Sequence, residues 1–241
     1  MFRYVLVSWI LTAFSCGVVA QKPQTYAIVQ TFPLSQVSNG IDGRIELLMD
    51  ARLSPSVREQ LWGKGDWSLV LPQDSNLFKD FSALPPLNAK LRIRDDTGKL
   101  VAERSLERPL ANLEEWRPAS EKGGYLLSID FSAGFGSYNG LGTTLLQVCN
   151  RTFHDVEALN AVTHKREPIR LAKSLKSDWR IEPRSEGTDI LSLSSHPGNN
   201  GNFVSDYVRY SFDGKQWLEH KKQKDGLWES DQPFPPRSAF P

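Results

Sequence analysis

Short apolar runs that alternate with polar residues recur along this chain at spacings of about ten residues, and Gly, Asp and Asn separate them. This pattern constrains the fold more than any other feature. An amphipathic helix repeats its apolar face every three to four residues, whereas a half-buried strand repeats every two. Leu91-Arg92-Ile93-Arg94 alternates strictly, and Asp95-Asp96-Thr97-Gly98 then makes a turn in which Gly98 is placed for positive φ. Lys99 to Leu106 returns from it. Phe203 to Phe212 reads as a long strand with Val208, Tyr210 and Phe212 on one face, Asp213-Gly214 as a tight turn, and Gln216 to His220 as the return.

Further strands are expected over Tyr26–Phe32, Arg44–Leu53, Trp67–Leu71, Gly124–Phe131, Thr143–Cys149, Ile169–Leu171, Trp179–Ile181, Ile190–Ser194 and Leu227–Glu229. Ser54-Pro55 reads as an N-cap with proline in the first helical turn. It predicts a two-turn helix over Ser56–Trp62 that stops at Gly63. Glu114-Glu115-Trp116 reads as a short helical turn. The fold class is therefore all-β, mainly antiparallel, with few short helices and the turn spacing of sandwiches or open barrels. Thr152–Pro168 is polar and weakly patterned, so the boundary is drawn there. This gives a β-sandwich-like domain over 21–160 and a smaller antiparallel β domain over 161–241, with a Pro-rich C-terminal tail.

The N-terminus carries a different signal. Met1-Phe2-Arg3 is a short basic start, Tyr4–Ala20 has no charge, and Val5–Phe14 is an apolar stretch of about ten residues. A helix across a hydrocarbon core of roughly 30 Å needs about twice that length. Val18 and Ala20 put small residues before Gln21, so residues 1–20 read as a signal peptide cleaved after Ala20, and the mature chain as secreted or periplasmic. An uncleaved N-terminal anchor and lipidation at Cys16 are the alternatives. No later apolar run reaches membrane-spanning length, so no membrane span is expected after signal removal.

Charge narrows the partners. The chain has 29 Lys and Arg against 28 Asp and Glu, and removing the leader with Arg3 leaves the two balanced. Nucleic-acid binding needs a cationic excess to displace counterions, so nucleic acid is not an expected partner. The hydrophobic share of 39%, with 10% aromatic residues, is enough for a packed core. Once the leader is gone only Cys149 remains, so no internal disulfide forms. Cys149 ends an apolar run and reads as a small buried strand residue.

The motifs that usually carry chemistry are missing from the sequence. The loop Gly134–Gly142 places Asn139 where a dinucleotide-binding third glycine belongs, and strand rather than helix follows it. His154, His164, His196 and His220 show no zinc-ligand spacing. No Gly-x-Ser-x-Gly elbow occurs. No catalytic residue, metal site or cofactor is therefore assigned. Asp130, Glu219 and Glu229 lie beside aromatics and are the acids that a glycoside-hydrolase reading would use. Asn150-Arg151-Thr152 fits the N-glycosylation sequon.

The segment Tyr210-Ser211-Phe212-Asp213-Gly214-Lys215-Gln216-Trp217 resembles the strand–turn–strand pattern of discoidin-type and other extracellular β-sandwich modules. It is also similar to, but one residue shorter than, the Asp-box of sialidase-like propellers. The resemblance implies a hairpin in which Trp217 packs back on Tyr210, and it carries no activity with it. Trp179, Trp217 and Trp228 crowd the last third of the chain. Exposed tryptophans stack on sugar faces, whereas buried ones fill cores. The leading expectation is a non-enzymatic binding or interaction protein of the cell envelope or extracellular space. Its partner would be a glycan or an envelope protein, and Tyr138, Trp217 and Trp228 would be ligand contacts. The alternatives are a secreted hydrolase acting on polysaccharide or cell wall, and a structural component that assembles through β edges.

Overall fold

A computed structural model describes residues 24–36, 42–53, 86–117, 124–131, 137–138, 140–184 and 187–241. The expected leader at 1–20, the expected helix at 56–62 and the expected strand at 67–71 lie outside these residues. Within them the protein is all-β. A four-stranded antiparallel sheet follows chain order: β1 (Tyr26–Pro33), β2 (Arg44–Asp50), β3 (Lys90–Arg94) and β4 (Leu100–Ser105). A second, larger sheet contains β5 (Ala111–Trp116), β6 (Tyr125–Phe131), β7 (Gly140–Cys149), β8 (Thr152–Asp155), β9 (Glu157–Asn160), β10 (Arg166–Pro168), β11 (Arg170–Ser174), β12 (Ser177–Arg184), β13 (Gly187–Pro197), β14 (Phe203–Phe212) and β15 (Trp217–Asp225). Its order is β10-β9-β15-β14-β13-β12-β11-β7-β6-β5, with β8 pairing β7 off this path. Every pair is antiparallel except β15 with β9.

Strands β6 and β7 position everything else, because they are buried on both faces. Leu126, Leu146 and Val148 point to one side, where they pack with Ile45, Leu47, Met49, Leu91 and Ile93 of the small sheet. That is the sandwich core. Tyr125, Leu127, Ile129 and Leu145 point the other way and join Ile169, Leu171, Trp179, Ile190, Tyr210 and Trp217 in a second core. A strand covered on both faces carries a continuous apolar run rather than an alternating one, as Tyr125-Leu126-Leu127 does. The second core forms because the large sheet curls. Trp116 of β5 lies 5.9 Å from Trp217 of β15, ring to ring, although the two strands are far apart in the strand order.

The tail after β15 packs on the outer face of that sheet. Trp228 and Phe240 are buried against Leu191 and Leu193, with Phe234 and Tyr207 beside them. The tail does this without forming a strand, so the strand expected at Leu227–Glu229 is absent and side-chain packing takes its place.

Two further expectations need correction, at Glu114–Trp116 and at Cys149. Glu114–Trp116 is the end of β5 and not a helical turn: Ala111 and Leu113 alternate into the core, and Trp116 pairs with Tyr125. The polar stretch Thr152–Pro168 holds three short strands at the periphery of the large sheet: β8 pairs with β7, and β9 lies between β10 and β15. Cys149 is exposed, because it is the last residue of β7 before a turn in which Asn150 and Arg151 take positive φ of 51° and 60°. The large sheet also crosses residue 160, where composition divides the chain, through the pairings β7–β11 and β9–β15. Gly140 makes the first of these possible. A Cβ on Gly140 would lie 1.9 Å from the Lys173 carbonyl oxygen on β11.

Candidate functional site

The residues singled out from sequence fall into three separate places. Trp217 is 2% exposed and sits in the second core against Trp116, Tyr125 and Phe212. Trp228 is 5% exposed and belongs to the tail cluster. Both rings are covered by their neighbours. Tyr138 is the exposed one, at 54%. The ammonium of Lys176 lies 5.1 Å above the Tyr138 ring and 4.1 Å from the Phe203 ring. Exposed Leu175 adjoins Lys176 in the same turn.

Of the acids, Glu219 accepts a hydrogen bond from Asn160 Nδ2 at 3.0 Å, Glu229 is half-buried in the tail, and Asp130 lies on β6 opposite Gly142 of β7. Cys149 pairs with Thr152 and His154 with Gln147 across the β7–β8 hairpin. Among the described residues no group of three or more His, Cys, Asp or Glu side chains is placed to hold a metal ion, and no helix is long and apolar enough to cross a membrane.

The register of the large sheet creates a site that the sequence did not reveal. On the sandwich side of β6 and β7 the apolar face changes character along the strands. Leu126 and Leu146 belong to the core, and the next positions on the same face are Ser128 and Thr144. These two are directly paired, and Thr144 pairs in turn with Arg170 of β11. Ser128, Thr144 and Arg170 thus form a polar row abreast across three strands. Arg170 Nη1 donates to Thr144 Oγ1 at 3.2 Å. Ser128 is 1% exposed, and its Oγ has no hydrogen-bond partner among the described residues.

The connection from β4 to β5 forms the opposite wall. Leu106 and Leu110 are buried pegs, and backbone hydrogen bonds of 2.8 Å tie Leu106 and Arg108 to Ala89. Glu107 and Arg108, held between the pegs, are exposed over the polar row. Two lobes result, sharing Glu107, Thr144 and Arg170. One of ≈ 210 Å³ reaches Arg108 and Gly142, and one of ≈ 80 Å³ reaches Arg104, Ser128 and Leu146. Arg104 Nη2 is paired with Asp155 at 2.7 Å. The cleft therefore gathers three guanidiniums against the carboxylates of Glu107 and Asp155. Polar residues inside apolar runs, Ser128 after Leu126-Leu127 and Arg170 between Ile169 and Leu171, are the sequence signals that mark this row. Only the strand register brings them together.

Elsewhere the buried charges serve the fold. Asp189 has no exposure, and three arginines surround it: Arg184 Nε at 3.0 Å, Arg237 Nη2 at 2.6 Å and Arg209 Nη1 at 4.0 Å. Because Arg237 lies in the tail, this cluster fastens the tail to β12 and β14. Asp206 is buried, which would raise its pKa, but hydrogen bonds from Lys221 at 2.7 Å, Gln223 at 2.9 Å and His196 at 3.2 Å outweigh that and hold it below the usual carboxylate value. Burial, helped by the nearby Glu219 and Glu167 charges, pushes the Tyr210 phenol well above its usual value, so it stays neutral.

One free strand edge is also covered. Gln30 sits at a bulge in β1. Its Oε1 accepts from the Leu113 N–H at 2.9 Å, and its Nε2 donates to the Leu113 carbonyl at 3.3 Å and to Asn112 Oδ1 at 2.7 Å. β5 is the last strand of the large sheet, so one side chain satisfies backbone groups that another chain would otherwise pair with.

No family model matches the chain, and no curated protein or solved structure matches it either.

Proposed function

We propose that this chain is an exported, non-enzymatic binding protein of the cell envelope or extracellular space, and that the cleft between the β4–β5 connection and the β6–β7–β11 face is its ligand site. The observation that carries the reading is the polar row Ser128–Thr144–Arg170, which lines an open cleft where the sandwich core ends. Its groups project from three adjacent paired strands, which position side chains more rigidly than loops do. The leader at residues 1–20 supports export, and the balanced charge of the remaining chain fits a partner other than nucleic acid. A glycan or an envelope protein is the expected partner.

The test is binding of the mature chain, residues 21–241, to an array of immobilised glycans, cell-wall fragments and envelope proteins. The released ligand is then examined for chemical change. Saturable binding with the ligand recovered intact supports the reading. A ligand recovered cleaved makes the protein a hydrolase instead, and a blank array removes the binding reading.

A further inference from the structure

We infer that the cleft is built for an oxyanion, a carboxylate, sulfate or phosphate group carried by the ligand. This rests on the binding reading above and adds the chemical class of the ligand. Three observations converge on it. Arg108 lines the larger lobe, Arg104 the smaller and Arg170 both, against Glu107 and the Asp155 that pairs with Arg104, so the cleft keeps an excess of positive charge. A guanidinium presents a planar fork of N–H donors that matches two oxygens of such a group.

Arg170 is exposed and lines both lobes, and among the described residues its one side-chain hydrogen bond is to a neutral hydroxyl, Thr144 Oγ1 at 3.2 Å, which leaves its other donors available to a ligand. Ser128 supplies the third observation. A hydroxyl buried without a partner costs stability, so its retention at the base of the ≈ 80 Å³ lobe points to a bond completed by a ligand. An incoming oxygen would accept from Ser128 at the floor and from Arg170 at the rim. Arg108, exposed on the facing wall, would close over the charge from the other side.

The experiment titrates the mature chain with glucuronate, sulfate and inorganic phosphate, with glucose as the neutral control, and follows amide shifts or heat. One or more anions should saturate while glucose does not. A response to glucuronate marks an acidic sugar as the source of the charge, and a response to phosphate or sulfate marks a phosphorylated or sulfated one. Arg170→Gln should weaken that affinity about tenfold or more, the weight of a charge-assisted bond. Ser128→Ala should weaken it several-fold while leaving thermal stability unchanged or raised, because the orphaned hydroxyl is gone. A merely structural serine would move stability and leave binding alone. The inference is overturned if no anion saturates, or if both variants bind as the parent does. If the array ligand proves neutral and its binding survives Arg170→Gln, the binding reading stands and the oxyanion assignment falls.

Discussion

The indole Nε1–H of Trp217 donates to the Tyr125 hydroxyl at 3.2 Å, joining β15 to β6 across 92 residues of sequence. In the large sheet these strands are separated by β14, β13, β12, β11 and β7, so they meet only because the sheet curls over the second core. The bond closes that curl at its aromatic seam, where Trp116, Tyr125, Phe212 and Trp217 stack edge to face and at tilted angles. Trp217→Ala should therefore destabilise the fold by about 3–5 kcal/mol in urea melts, the cost of emptying a large buried site. Tyr125→Phe keeps the ring, removes the hydroxyl that accepts this bond and should cost about 1–3 kcal/mol by leaving the indole N–H unsatisfied. If Trp217→Ala melted like the parent, the curled sheet described here would be wrong.

Gln30 gives a prediction about association. Gln30→Ala strips the Leu113 N–H and carbonyl of their partner and reopens the β5 edge. It should cost about 1 kcal/mol, the weight of a typical hydrogen bond, and should raise self-association on size-exclusion chromatography. Gln30→Glu keeps an acceptor for the N–H but cannot donate to the carbonyl, so it should fall between. Unchanged elution of Gln30→Ala at high concentration would show that the edge is guarded by something other than this side chain.

The tail is held by charge as well as by packing. Asp189→Asn leaves three guanidiniums around a neutral group and should cost about 3–5 kcal/mol, as breaking a buried ion pair does. Arg237 is 42% exposed, so Arg237→Ala should cost about 1 kcal/mol or less. Ending the chain at Asp225 removes Trp228 and Phe240 and bares Leu191 and Leu193, which should be read as increased binding of a hydrophobic dye. Equal dye binding before and after truncation would argue that the tail does not cover this face.

Acid should unfold the protein in two stages. Burial lowers the pKa of His220 below its ordinary 6.5, and the Arg209 charge adds to this. The folded state thus binds fewer protons there than the unfolded chain, and this contribution is lost as pH falls from about 6.5 through the folded value. Glu46 and Asp50 are buried, which would raise their pKa values. Bonds from Arg44 and Arg94 to Glu46, and from Arg52 and the Leu87 N–H to Asp50, more than reverse this, so both lie below their ordinary 4.5 and 3.8. Asp206 behaves alike. Their contribution is complete above the unfolded values and disappears as pH falls through the lower folded ones. Midpoints in urea should therefore decline gently below pH 6.5 and steeply below about 4.5. His220→Gln should flatten only the first stage.

Where burial is one-sided, the sequence pattern was enough to find strands. Leu91-Arg92-Ile93-Arg94 alternates because only one face of β3 is in the core, and Gly98 in its turn takes φ 84° as the hairpin needs. Asp213-Gly214 likewise marks the β14–β15 turn, and Gly214 has φ 93°. Alternation fades where both faces are buried, as in β7, or where strands are short and peripheral, as in β8–β10. The candidate site was illegible for another reason. Ser128, Thr144 and Arg170 are far apart in sequence and are each unremarkable alone, and their meeting depends on register across β6, β7 and β11. Tryptophan count pointed to Trp217 and Trp228 as contacts, whereas curling of the sheet and docking of the tail bury both.

The most direct test of the binding-protein account maps backbone amide shifts of residues 21–241 as the array-selected ligand is added. The account predicts saturable shifts centred on Ser128, Thr144 and Arg170, with Glu107 and Arg108 following from the facing wall. Shifts confined to Tyr138, Lys176 and Phe203, or scattered with no centre on β6, β7 and β11, would contradict it.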